Sequence, residues 1–223
     1  MLDSFAFHAG QMVVALLLDA LLGWPALVFA RIGHPVSWIG HVVSGLDRNW
    51  NRDALSPVLR RLAGVGVVLV VTGLAGGVGL GLCFLLPHNG LGVLAGGVLA
   101  WPLLAARSLY AHVLAVVQPL SAGDMPGARK AVSMIVGRDP NVLDSAGIAR
   151  AAAESLAENT SDGVVAPLFW GVLLGLPGLY AYKAINTMDS MIANRTPRYR
   201  LVGGAAARGD GGGKSPPARW SGG

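Results

Sequence analysis

Long apolar stretches separated by short polar segments make up most of this chain. Four of them reach the roughly 20 mostly apolar residues that a helix needs to cross a bilayer; they cover residues 11–30, 62–87, 90–106 and 163–182. This pattern predicts an all-α, polytopic integral membrane protein. We expect about three to four spans, a cytoplasmic helical segment and, for reasons given below, a re-entrant hairpin.

The composition supports a membrane location. Of the 223 residues, 53% are hydrophobic and only 13% are charged, against about 25% charged in soluble domains. The single Cys83 rules out a disulfide framework within the chain. The net charge of +5 is modest, and no basic patch interleaved with aromatic residues indicates nucleic-acid binding. We therefore expect a multi-pass protein of the cell (inner) membrane, with the lipid bilayer as a partner.

Glycine recurs at four-residue intervals in two of the stretches. Gly73, Gly77 and Gly81 lie in the second, and Gly92 and Gly96 lie in the third. Small residues at this spacing let helices approach closely. The spacing predicts that the second and third spans pack against each other as a hairpin.

The basic residues predict the orientation. Residues 1–30 and 62–106 contain no Lys or Arg, whereas residues 31–61 and 107–162 carry five each and residues 183–223 carry seven. Because basic loops remain on the cytoplasmic side, we expect residues 31–61 and 107–162 in the cytoplasm.

The fourth stretch conflicts with this orientation if it crosses the bilayer, because its basic tail would then lie outside. Pro167, Gly175, Pro177 and Gly178 interrupt it. A broken hairpin that returns to the same face removes the conflict, since irregular backbone at membrane depth is tolerated where protein buries it. A plain crossing is the alternative.

Two matching polar strings flank this fourth stretch. Asn159-Thr160-Ser161-Asp162-Gly163 precedes it, and Asn186-Thr187-Met188-Asp189-Ser190 follows it. Carboxylates and amides at membrane depth are costly and are usually functional. A hairpin would bring both strings to the cytoplasmic face, so the sequence predicts a polar site there.

The segment before the first string supplies further candidates. Arg138 and Asp139 lie in a predicted turn, and a helix is predicted from about residue 141 to 158, capped by Asp139 or Asn141. Its spacing puts Arg150, Glu154 and Glu158 on one face. These acids, with Asp162, suit Mg²⁺, which binds through one or two carboxylates. An ordinary solvated helix face explains the same spacing.

Three more polar residues are candidates for substrate binding. Lys183 is placed to bind a phosphate as a point charge, although a lysine at the end of an apolar stretch also snorkels to the interface. Asp19 lies inside the first span, where a carboxylate must face protein or a polar cavity. His34 precedes Pro35 in a segment predicted to return to the membrane face.

Longer strings carry a resemblance to a known family. The chain is similar to the CobD/CbiB family, adenosylcobinamide-phosphate synthase of cobalamin biosynthesis, over residues from about 11 to 202. The matching strings are Asp19…Gly23-Trp24-Pro25, His34-Pro35-Val36, Val136-Gly137-Arg138-Asp139, Ala157-Glu158-Asn159-Thr160-Ser161-Asp162-Gly163 and Tyr182-Lys183-Ala184-Ile185-Asn186-Thr187-Met188-Asp189-Ser190.

The resemblance implies an ATP-dependent membrane ligase that joins aminopropanol, or its phosphate, to adenosylcobyric acid. A corrinoid and an amino alcohol are then the small-molecule partners, and the active site faces the cytoplasm. The roles of individual residues are hypotheses from their chemistry. Glu154, Glu158, Asp162 and Asp189 are catalytic candidates. Of these, Glu158, Asp162 and Asp189 would hold Mg²⁺. Substrate binding is assigned to Asp19, His34, Arg138, Asp139, Arg150, Asn159, Lys183 and Asn186.

The chain departs from the family pattern after Val202. Only Gly203, Ala207-Arg208, Asp210 and Pro217-Ala218-Arg219 remain of it, so we expect a synthase-like domain over 1–202 and a disordered Gly-rich tail over 203–223, degenerate and truncated relative to the family. Gly211-Gly212-Gly213-Lys214-Ser215 is not a P-loop, because Arg208 stands where its first glycine belongs. A non-catalytic transporter, or a scaffold that binds other corrinoid enzymes, is the alternative function; homo-oligomers are also compatible with the sequence.

Overall fold

In the computed structural model, residues 2–136, 142–192 and 203–221 are described, and their regular secondary structure is helical. The helices are α1 (Leu2–Leu22), α2 (Ala26–Ile32), α3 (Pro35–Trp50), α4 (Pro57–Leu85), α5 (Gly90–Ala100), α6 (Ala106–Ser121), α7 (Met125–Ser133), α8 (Ser145–Thr160), α9 (Ala166–Ile192) and α10 (Gly204–Ser221), with a 3₁₀ turn at Trp101–Leu103 and a π turn at Ser161–Val165. Four helical stretches among these residues are long and apolar enough to span a membrane: Asp3–Leu22, Pro57–Leu85, Gly90–Ser121 and Ser145–Ile192. The all-α membrane fold is confirmed.

The last of these stretches is folded back on itself. Gly175, inside α9, has φ 70° and ψ −157°, a conformation essentially restricted to glycine. The Asn186 side-chain amide lies 3.1 Å from an Asp162 carboxylate oxygen, whereas a straight helix would separate these residues by about 36 Å. An added Cβ at Gly178 would meet the Trp170 carbonyl, as expected for antiparallel arms. The predicted broken hairpin is confirmed, with Gly175 at its apex; residues 166–174 of α9 form its first arm and residues 176–192 its second arm.

The other spans pair differently from the prediction. α4 packs mainly on α9, and α5 packs mainly on α1, so the predicted hairpin between the second and third spans is wrong. Gly79 lies against the backbone at Leu176, next to the apex, whereas Gly73, Gly77 and Gly81 have open space around them. The four-residue glycine spacing predicted close helix packing on the face that carries Gly73, Gly77 and Gly81. The α9 hairpin packs instead on the face of α4 that carries Gly79.

The third span is interrupted beside the polar site. After the 3₁₀ turn, Leu104 is extended, and the Ala105 amide donates to the Gly163 carbonyl at 3.0 Å. The Arg107 amide at the start of α6 donates to the Asp19 carboxylate at 3.2 Å. These bonds join the end of α1, the start of α6 and the π turn into one unit.

The segment after residue 202 forms a helix, where the sequence predicted disorder. Its glycines disfavour a helix by about 1 kcal/mol each, so tertiary contacts must stabilise α10. Ala206 is fully buried in a core with Val43, Val67 and Met188. The Trp170 indole N–H donates to the Gly213 carbonyl at 2.9 Å. Composition alone predicted disorder, because the residues that stabilise α10 lie far from it in the sequence.

Candidate functional site

Two cavities share Lys183 in their linings. The smaller, of about 450 Å³, lies between α6, α8 and the second arm of α9 and includes Asn159 and Asp162 in its lining. The larger, of about 830 Å³, lies between the end of α1, α3 and the same arm and includes Asp19 and His34. The residues that line both cavities are Ala105, Ser108, Lys183, Asn186 and Ser190.

The two polar strings meet at Asp162. Its Oδ2 accepts from the Asn186 amide at 3.1 Å and pairs with the Lys214 ammonium at 2.8 Å. Asp210 also accepts from Asn186, at 3.4 Å, and pairs with Lys214. Asp162 Oδ1 is buried and has no hydrogen-bond partner within the described ranges. Leaving a charged acceptor unsatisfied is costly, so the site is suited to receive a donor there.

Hydrogen bonds within α8 and α9 orient three further polar side chains of the strings. The Thr187 hydroxyl donates to the Lys183 carbonyl at 2.7 Å, and the Ser190 hydroxyl donates to the Asn186 carbonyl at 3.0 Å. The Asn159 amide donates to the Ser155 carbonyl at 2.8 Å. These polar groups are therefore held by their own helices in the absence of any ligand.

Among the residues that the structure describes, Lys183 is the most buried cation at the site. It is only 9% exposed, and among the described residues no carboxylate lies within ion-pair distance of its ammonium. The charges of Asp162 and Asp19 act on it from farther away. A buried ammonium without a direct counterion is costly, so Lys183 is placed to receive an anion from either cavity.

Asp19 and His34 line the larger cavity but also have structural roles. Asp19 accepts from the Arg107 amide, as described above. His34 caps α3, because its Nδ1 accepts from the Val36 amide at 3.2 Å. Burial, and secondarily the charge of Lys183, lower the pKa of His34 below its ordinary value. The neutral ring that capping requires is therefore the favoured form.

The candidates on α8 contribute less to the cavities. Arg150, Glu154 and Glu158 are exposed, and none of them lines either cavity. Glu158 is near enough to Asp189 to affect it electrostatically, together with Asp162, Asp210 and Lys214. α8 is capped by Asp144, whose carboxylate accepts from the Gly147 amide at 2.7 Å, rather than by Asp139 or Asn141. Arg138 and Asp139 lie outside the described residues.

The predicted magnesium set is not assembled. Within the ranges that the structure describes, no three His, Cys, Asp or Glu side chains are grouped to hold a metal ion. Asp162 Oδ2 is already bonded to the Lys214 ammonium and the Asn186 amide. Glu158, Asp162 and Asp189 are therefore not grouped around one position in this structure, and magnesium binding by them stays a prediction.

Sequence reasoning missed two members of the site, Asp210 and Lys214. Asp210 is 3% exposed. Burial lowers the pKa of Lys214, but its bonds to Asp162 and Asp210 outweigh this effect, and the pKa is raised. The signal in the sequence was an acid and a base four residues apart, which the surrounding glycines obscured.

Comparisons with known proteins cover most of the chain. A family profile described as "CobD/Cbib protein" matches residues 12–223. The chain is 58% identical over 200 residues to "Cobalamin biosynthesis protein CobD" of Rhodobacter capsulatus, covering 90% of this chain and 63% of the relative. It is 47% identical over 210 residues to the protein of that name in Brucella suis, covering 94% of this chain and 64% of the relative.

A third relative of the same name, from Rhizobium meliloti, is 46% identical over 213 residues, which cover 94% of this chain and 64% of the relative. The chain thus spans a little under two thirds of the length of these relatives. No solved structure matches it.

Proposed function

The chain belongs to the CobD/CbiB family, and on this premise we propose that it acts in cobalamin biosynthesis as an ATP-dependent, amide-forming ligase. The substrates are the carboxylate of adenosylcobyric acid and the amine of aminopropanol or its phosphate. The names of the relatives and the family resemblance support the pathway. The polar site between the two cavities supports the chemistry.

The reaction needs an activated carboxylate. A carboxylate oxygen takes the γ-phosphoryl group of ATP, and ADP leaves. The amine nitrogen then bonds to the carbonyl carbon while the carbon–oxygen bond to phosphate breaks. The ammonium loses two protons in all; the leaving phosphate takes up one, and the other passes to solvent. Such a reaction depends on positioning and on charge neutralisation by the protein.

One observation carries this proposal: Lys183, a buried cation just before the second string, and Asp162, a carboxylate of the first string, line the same polar cavity. Lys183 lines both cavities and is placed to neutralise the carboxylate or acyl phosphate. Asp162 lines the smaller cavity and offers a negative charge to the ammonium. Asn186 holds Asp162 in place through the 3.1 Å hydrogen bond. Amide ligation needs both signs of charge at one point, and these residues supply them.

Complementation tests the proposal. The test uses a strain that lacks this cobalamin step and is supplied with cobyric acid as its only corrinoid. The strain receives either this chain or a double variant that carries both Asp162→Asn and Lys183→Met. We expect growth with the unaltered chain only. Cobinamide formation in isolated membranes should require ATP. Absence of cobinamide formation, with the chain present in the membrane, would contradict the proposal.

The same membranes separate the ligase from a transporter, which is the alternative that broken helices also favour. A transporter would move a corrinoid into sealed vesicles without forming an amide and without requiring ATP hydrolysis at this site. We expect a new amide product, detected by mass, and no ATP-independent uptake.

A further inference from the structure

We infer that the two cavities are separate substrate sites: the smaller one binds the amino alcohol and the larger one binds the side-chain edge of the corrinoid acid. The two substrates meet at Lys183. This inference rests on the proposed function and adds to it an assignment of each reactant to a place.

Size favours this assignment. Small-molecule sites in proteins have volumes of about 300–1,000 Å³, and both cavities fall in that range. A corrin macrocycle is far bulkier than a three-carbon amino alcohol, so it requires the larger space. The larger cavity is also lined by bulky apolar side chains, namely Trp24, Phe29, Leu103 and Met191. These suit the edge of a macrocycle, whose body remains outside.

Charge favours the same assignment. Of the two cavities, only the smaller is lined by Asp162, the carboxylate with an unused buried oxygen. An ammonium would be attracted there and could donate hydrogen bonds, which are stronger when both groups are charged. Amide and hydroxyl groups of Asn159 and Ser155 line the same space and suit the hydroxyl or phosphate of an amino alcohol.

The two substrates would meet at the side chains that line both cavities. Lys183 is about nine-tenths buried, has no direct counterion among the described residues, and lines both spaces. A carboxylate that enters from the larger cavity would find this ammonium. An amine held by Asp162 would approach from the other side. The polar side chains of Ser108 and Asn186 also line both cavities.

The test fills each cavity separately. Val113 lines only the smaller cavity and Ser44 only the larger one, so Val113→Phe and Ser44→Phe are a matched pair. In steady-state assays we expect Ser44→Phe to raise the KM for cobyric acid about tenfold, the effect of about 1.4 kcal/mol, and to leave the KM for aminopropanol within about twofold. Val113→Phe should do the reverse. Ser44→Leu and Val113→Leu are milder replacements if a Phe variant does not fold.

A binding measurement separates this inference from the proposed function. The purified full chain in detergent is dialysed against cobyric acid without ATP, and bound corrinoid is measured by its visible absorbance. We expect Ser44→Phe to weaken binding about tenfold and Val113→Phe to leave it unchanged. If both variants weaken it equally, or only Val113→Phe does, the assignment of the cavities is overturned. If binding follows our expectation but no amide forms, the proposed function fails and the corrinoid site stands.

Discussion

Asp162 joins the π turn to two other elements of the site. One of its oxygens joins the second polar string through Asn186 and α10 through Lys214, and the other is unused. The sequence was sufficient to nominate Asp162, Lys183 and Asn186, because a polar string beside an apolar stretch is visible without a structure. It did not show that Arg150 and Glu154 lie outside the linings of both cavities, because helical spacing does not say which face of a helix is covered.

If the chain has the proposed activity, replacing Asp162 by Asn should lower cobinamide formation by roughly tenfold to a hundredfold. The change removes the negative charge offered to the amine, and hydrogen bonds between charged groups contribute about 1.5–3 kcal/mol. Product formation in membranes with equal amounts of each variant measures the effect. Asp53→Asn is the control, because the Asp53 side chain is 94% exposed and exposed ion pairs contribute little. An equal loss in both variants would refute a specific role.

His34 should make the protein less stable at acidic pH. Its folded-state pKa lies below the ordinary value of 6.5, so as pH falls below about 6.5 the unfolded chain takes up a proton that the folded chain resists. The stability that the neutral ring contributes is therefore present above that pH and is lost as pH falls through the folded pKa. The bond from the Val36 amide to Nδ1 also needs an unprotonated ring.

Melting temperatures in detergent at pH 7.5 and pH 5 would measure this effect. We expect the drop between the two pH values to be smaller in His34→Asn than in the unaltered protein, because asparagine can cap α3 without titrating. His112→Asn serves as a control, since His112 is an exposed ring. An unchanged pH dependence in His34→Asn would show that other groups cause the drop.

Among the elements, the α9 hairpin was predictable and its neighbours were not. Proline and glycine inside an apolar stretch, together with a basic tail, indicated a break near Gly175. Which helices pack on the break depends on contacts between distant segments, and the regular glycine spacing of α4 pointed to the wrong face. α10 shows the same limit, since Ala206 and Asp210 stabilise a helix that local propensity disfavours.

Gly175→Ala should destabilise the protein by roughly 1–3 kcal/mol, the cost of a side chain in a conformation reserved for glycine. The added Cβ would also lie 2.9 Å from the His8 ring. The apparent melting temperature in detergent measures the loss. Gly81→Ala is the matched control, because Gly81 lies in α4 with nothing within 4 Å and alanine favours a helix. Equal melting temperatures for the two variants would contradict a strained apex.

At the scale of the whole molecule, membrane spans were the most predictable feature, because length and hydrophobicity alone define them. The sidedness of the site remains a prediction. If α9 turns back within the bilayer, residues before and after it lie on the same side, and the turn after α4 lies on the other. Both polar strings then face the cytoplasm, with the basic segments.

Single cysteines introduced into a Cys83→Ala background test this topology. Glu158→Cys and Ser190→Cys are at exposed positions on either side of the hairpin, and His88→Cys is in the exposed turn between α4 and α5. With a membrane-impermeant maleimide, we expect the first two to react only from the cytoplasmic side and the third only from outside. Reaction of positions 158 and 190 from opposite sides would refute the hairpin in the membrane.

The position of Gly175 also bears on which substitutions evolution can accept. Twelve or so helical residues separate it from either polar string, a distance of roughly 20 Å, and no reactant would touch it. Yet the direction in which the second arm returns, and hence the gap between Asp162 and Asn186, depends on its backbone angles. Selection on this glycine should be as strict as on a residue that contacts substrate, so invariance alone would not identify the catalytic centre.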